Sequence, residues 1–280
     1  DGKPGKATYT LRLGEILTAA EVLSLPAADF NRVAFTRDNR LMAVAAPKQE
    51  IVVWDLMRGR ERQRFKGFNA EVIDLAFSRD GRRLVSGLAD STLLVWDVGT
   101  RDTAPSGKLD AEGLVKAWAD LASRDAARAF RARGSLALSP EETVPFLQKH
   151  LHPAQPADAE HLRRLLAELE SEQFAVREKA QKALEDLGDL VEPALRQTLA
   201  SKPTLEVRRR VQALLEHRRG PVTKPETLRT LRGVAVLEDI GTSPARRLLE
   251  ELAKGTSEVR QTREAKESLK RLARRTSAER

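Results

Sequence analysis

A β + α molecule is predicted, with short antiparallel strands in the first third of the chain and helices after it, on three observations. Residues 72–98, VIDLAFSRDGRRLVSGLADSTLLVWDV, pack three strand-like runs into one short stretch with a turn signal between each pair. Val72 to Phe77 and Thr92 to Asp97 are dense in β-branched and large apolar residues, and Asp80-Gly81 supplies the left-handed-tolerant pair that tight hairpins need. The same design stands 42 positions earlier, NRVAFTRDNRLMAVAAPKQEIVVWDL over 31–56, with Phe35, Asp38 and Trp54 matching Phe77, Asp80 and Trp96. After residue 108 the strand pattern gives way to apolar residues at helical spacing.

A period near 40 with four short strands per unit and a closing Trp-Asp resembles the blades of WD-repeat β-propellers, Trp54-Asp55 and Trp96-Asp97 being the naming dipeptides. The resemblance covers roughly residues 8–98 and implies a partial propeller of two clear blades and a degenerate one, in which Gly14 stands where the Trp would be. It further implies a hydrogen-bond network from Trp96 through Ser86 to Asp90. The usual His is missing, because Gly67 is followed by Phe68, and the preceding unit carries Lys48 and Val44 at the Asp and Ser positions. Trp54, Asp55, Asp80, Gly81, Ser86, Asp90, Trp96 and Asp97 are therefore read as structural. The loops around Phe68-Asn69 and Ala89 to Ser91 are the first candidates for partner contact, although a Phe at a blade joint is more often packed than exposed.

Within these units Glu21 to Leu25 and Glu61 to Phe65 are expected outer strands. In the last strand Leu94 and Trp96 share one face and Leu93 and Val95 the other, so burial on both sides is expected. Two or three blades alone would leave an apolar face bare at each end. With a chain that begins at Asp1-Gly2 rather than Met, this leads to the expectation that further blades precede it, with closure by 99–108 or by the helices.

The expected organisation is a propeller part over 1–98, a Gly-, Pro- and Thr-containing linker over 99–108, and helices over 109–280, divided into 109–152 and 159–280. Leu114, Trp118 and Leu121 open the first group, and Ser123 is a candidate cap for the segment 124–133 that carries Phe130. Ser139-Pro140-Glu141-Glu142 has the layout of a capping box, with Pro145 one turn further on. Leu162, Leu165, Leu166 and Leu169, then Val176, Ala180, Ala183, Leu184 and Leu187, form successive stripes ended by Gly188. Helices follow after Pro193, Thr204, Pro225, Ser243 and Ser257. The Val-Arg pairs at 176, 207 and 259 are similar to HEAT-type helical repeats, which implies a curved stack over 159–280.

Charge and composition narrow the function. The 280 residues are 41% apolar and 32% charged, with no apolar run of the 18 or so residues a membrane helix needs. There is no Cys, which removes disulfides and thiolate chemistry without fixing the compartment; a cytoplasmic location is favoured. Residues 201–280 carry 20 basic and 11 acidic groups, densest at Arg208, Arg209, Arg210, Arg218 and Arg219. Successive helical residues fan around the axis, and aromatics are only 4% of the chain, so this cluster reads as a docking surface for acidic protein or a solvated face rather than a nucleic-acid site. His150-x-His152 has no third ligand in sequence. Neither a nucleophile elbow nor a Gly-rich phosphate loop occurs. No catalytic residue, cofactor or metal is assigned.

The resulting expectation is a noncatalytic protein-interaction scaffold, the C-terminal part of a bacterial-type WD-repeat protein with a HEAT-like tail and protein partners. Two alternatives stay open: the regulatory or sensory region of a larger signalling enzyme or transcription regulator, and nucleic-acid binding through 201–280.

Overall fold

The structure, a computed structural model, describes residues 9–27, 32–46, 49–99, 108–217 and 220–277. Lys48, Arg218, Arg219 and residues 100–107 of the expected linker lie outside the described residues. The strands fall into three antiparallel sheets. The first is a hairpin of β1 (Tyr9–Gly14) and β2 (Glu21–Ala27). The second runs in order β3 (Val33–Phe35), β4 (Leu41–Ala46), β5 (Glu50–Asp55) and β6 (Arg60–Phe65), and the third β7 (Val72–Phe77), β8 (Arg83–Leu88) and β9 (Leu93–Asp97).

The 42-residue repeat is visible down to the backbone. Asn39 and its equivalent Gly81 both take positive φ, +57° and +71°, which is why the turn needs Asn or Gly there. In each turn a hydroxyl locks the aspartate: Thr36 Oγ1 donates to Asp38 at 2.7 Å and Ser78 Oγ to Asp80 at 2.6 Å. The closing aspartates cap the next turn, Asp55 accepting from Arg58 N and Asp97 from Gly99 N.

The middle sheet is covered on both faces. Ala43, Ala45, Ile51 and Val53 meet Val72, Leu75, Leu84 and Leu88 of the third sheet. Met42 and Val44, with Trp54, meet Leu11, Leu13 and Leu23 of the hairpin and Phe130. Among the described residues the third sheet is covered only on its inner face.

Ten helices follow among the described residues: α1 (Ala111–Asp120), α2 (Ala126–Ala137), α3 (Pro140–His150), α4 (Ala159–Glu168), α5 (Phe174–Asp186), α6 (Glu192–Ala200), α7 (Leu205–His217), α8 (Pro225–Ile240), α9 (Ser243–Leu252) and α10 (Arg260–Ser277). Several caps differ from expectation. Asp125, not Ser123, caps α2 through Arg128 N, and Ser139 precedes α3 without a side-chain cap bond. Pro145 is accommodated inside α3.

The helices build two cores that interleave in sequence. Leu121, Leu136 and Leu147 of the first group join Val234, Leu237, Leu249 and Leu252 in one core. Leu165, Leu169, Leu184, Leu195 and Val211 of 159–217 form the other. The expected single stack over 159–280 is thus divided: α8, α9 and α10 return to α1–α3. The physical reason lies in α8, which is buried nearly all round, with Leu228, Leu231, Val234, Val236 and Leu237 among its buried residues. A helix of that kind belongs in the centre of a core.

Candidate functional site

The outer face of the third sheet holds Leu93 and Val95, 72% and 62% exposed, with Ile73 half exposed beside them. A Cβ built on Gly87 would lie 3.7 Å from both Ile73 and Leu93, which places these three on one surface. Their positions can be read against the middle sheet. Leu93 and Val95 are the 42-residue equivalents of Ile51 and Val53, each 0% exposed under the neighbouring sheet. Burial of β9 on both sides was expected and does not occur, because alternation of apolar residues records which faces can be covered and not whether a neighbour is there. Covering Leu93 and Val95 would return roughly 1.5–3 kcal/mol each.

The inner face of the same sheet is organised by Trp96. Its indole Nε1 donates to the fully buried Ser86 Oγ at 2.9 Å, while Phe65 and Phe68 pack on the ring at 4.8 and 5.7 Å between centroids. Phe68 is therefore buried and offers nothing to a partner; the apolar joint between two sheets claims it. Its neighbour Asn69 is exposed, with its carbonyl accepting from Gln49 Nε2. Asp90 accepts from Thr92 N within its own turn, so the Trp96–Ser86 pair stands without it. In the middle sheet Val44 occupies the Ser86 position and Trp54 packs toward the hairpin instead.

A buried charge clamp holds the hairpin, and with it the blades, to the helices. Arg232 lies on the buried side of α8, 2% exposed, and donates twice to Glu15 at 2.7 and 2.6 Å and to the carbonyls of Leu121 and Ser123. Burial pushes the Glu15 carboxyl up, but hydrogen bonds from Arg232 and Thr18 outweigh it, so its pKa lies below the ordinary carboxylate value. Next to the clamp, Val222 N donates to Leu17 O, and Leu17 packs on Val222, Leu228 and Leu231. Arg133 of α2 makes a two-pronged pair with Asp239, whose carbonyl also accepts from Arg40. Gly134 touches the β5–β6 turn so closely that a side chain there would collide with the Met57 carbonyl. Sequence reasoning missed this junction. The available signal was Arg232 itself, a lone arginine between Leu231 and Val234 on a helix otherwise apolar there.

The basic cluster is less uniform than its sequence. Arg210 is held by Glu178 and Glu206, both at 2.7 Å, and is committed to binding α5 and α7 together. Its electrostatic role is internal. Arg208 and Arg209 are exposed. His150 stacks on Phe146 and its Nδ1 lies 2.8 Å from the Phe146 carbonyl, a packing role. Among the described residues no three His, Asp or Glu side chains are gathered as a metal would need, and no helix is long and apolar enough to cross a membrane.

Part of the chain is similar to known proteins. The target of rapamycin complex subunit LST8 of Saccharomyces cerevisiae is 30% identical over 94 residues, 32% of this chain and 31% of that protein. The chain thus spans about a third of the length of the curated relative it matches. The β-propeller domain of Myceliophteria thermophila Cps50 (Swd1) is similar at 16% identity, covering 32% of this chain and 30% of that one, with a TM-score of 0.30. The family model "WD domain, G-beta repeat" matches residues 59–97, which run from the outer strand of the middle sheet through the whole third sheet, so this stretch carries a WD repeat.

Proposed function

We propose that this chain is a noncatalytic protein-interaction scaffold, in which WD-type blades locked to a helical body present surfaces for other proteins. The bare face of Ile73, Leu93 and Val95 carries this reading, because Ile51 and Val53, the equivalents of Leu93 and Val95 one repeat earlier, are sealed by a blade. An apolar sheet face left open fits a partner surface of the same kind: another antiparallel blade. The WD repeat and a relative named as a complex subunit support the general role. In the finer reading, 1–98 and 109–280 are the two structural parts, α4–α7 form a pair of HEAT-like hairpins, and the protein is of bacterial type.

Placing a photoreactive benzoyl-phenylalanine at Val95 in the cell tests this. Cross-linked peptides should map to an apolar blade face of WD-repeat type. Cross-links scattered over unrelated proteins, or none above those from the same probe at exposed Arg12, would contradict it.

A further inference from the structure

Five arginines line one cleft of about 210 Å³ where the two repeat-equivalent turns meet the end of α8, the start of α9 and the end of α10. Arg37, Arg40 and Arg79 come from the turns, Arg246 from the first turn of α9 and Arg275 from the last part of α10. The carboxylates that share the cleft are already engaged. Asp38 and Asp80 are held inside their own turns by Thr36 and Ser78. Glu238 accepts from Arg271 and Arg275, and Asp239 from Arg133. The C-terminus of α8 would by itself disfavour an anion, but Arg246 Nε donates to the Gly241 carbonyl at 3.0 Å and covers that end.

Donors remain once these bonds are made. A guanidinium carries five N–H groups. Among the described residues Arg79 is exposed and gives none of them to the protein, while Arg37 gives one to the Arg274 carbonyl, Arg246 one to Gly241 and Arg275 one to Glu238. Ile240 and Leu272 are the large apolar side chains of the lining, and no aromatic ring belongs to it. The cleft therefore suits a compact anion and has nothing on which to stack a base. Its donors arrive from separate segments of the chain. A planar carboxylate is satisfied by one or two guanidinium forks, whereas the three terminal oxygens of a phosphoryl group accept from several directions at once.

We propose that this cleft binds a phosphoryl group, with Arg79 and Arg246 donating to its oxygens and Arg37 and Arg275 supplying further N–H groups. The bound group ties the blade turns to α9 and α10. A free phosphate compound and a phosphoserine on another protein offer the same chemistry. The site is distinct from the open sheet face at Val95, so either can fail alone.

The test is isothermal titration of the full chain with pyrophosphate at constant ionic strength, with malonate as a dianion of planar carboxylates. Pyrophosphate should bind and raise the melting temperature, and malonate should bind about tenfold more weakly or not at all. Arg79→Ala removes no contact within the protein and should weaken pyrophosphate binding about tenfold. Arg79→Lys, which keeps the charge and loses the fork, should recover only part of it. Arg208→Ala/Arg209→Ala, a larger charge loss on the exposed face of α7, should leave binding unchanged. A phosphoserine peptide titrated alongside separates the sources: tighter binding of the peptide points to a phosphorylated protein, tighter binding of pyrophosphate to a free phosphate compound. Binding of neither, equal binding of malonate, indifference to Arg79→Ala, or an equal loss in Arg208→Ala/Arg209→Ala would each overturn the proposal.

Discussion

The middle and last sheets are built on one pattern and end in different surroundings. Both have the locked Asp turn, the positive-φ residue after it and the closing Trp-Asp, yet Ile51 and Val53 are sealed while Leu93 and Val95 face solvent. The middle sheet has the third sheet on one side and the hairpin on the other. Closely matched local patterns thus produce a core strand or a surface strand according to what lies beside them. A repeat unit is half of an interface, and the last described one is unfilled.

The largest expected effect comes from breaking the clamp that keeps the hairpin over the middle sheet. Arg232→Ala leaves Glu15 with a partly buried and unpaired charge and should cost about 4 kcal/mol in urea unfolding, making the middle sheet resemble the last. Acid weakens the same clamp. Because the folded pKa of Glu15 is depressed, its contribution is present above the ordinary carboxylate value and is lost as pH falls through the lower, folded value. Thermal melts below about pH 4 should show the stability difference between the native chain and Glu15→Gln shrinking.

Next is the repeat-equivalent pair. Ile51→Ala should cost about 3 kcal/mol and Leu93→Ala within about 0.5 kcal/mol, measured the same way. Similar costs at the two positions would mean that the last sheet is covered after all. Smaller again is Ser86→Val, which gives the last sheet the residue of the middle one and leaves the Trp96 N–H without its acceptor, for about 1 kcal/mol.

Much of the blade region was legible because its determinants are local. Asp80-Gly81 fixes a hairpin, Asp90-Ser91 another, and the recurrence of Trp-Asp sets the repeat; β7, β8 and β9 follow. The helix boundaries at Gly188 and Pro225 were legible for the same reason. What failed depends on partners far away in sequence. The exposure of Leu93 and the return of α8–α10 to α1–α3 are set by packing between segments that can lie more than a hundred residues apart. Glu15 and Arg232 lie 217 positions apart, beyond any periodicity. Arg210 illustrates the limit at the candidate site: a run of three arginines looks uniform, but helical geometry turns one of them onto Glu178 and Glu206.

The absence of native cysteine allows the most direct measurement. Single Ile51→Cys, Val53→Cys, Leu93→Cys and Val95→Cys chains can each be reacted with a thiol-specific maleimide under native conditions. Positions 93 and 95 should label at nearly the rate of the urea-unfolded chain, while 51 and 53 stay protected. Equal protection at all four positions in the isolated chain would contradict an open blade face, and with it the surface on which the scaffold assignment stands.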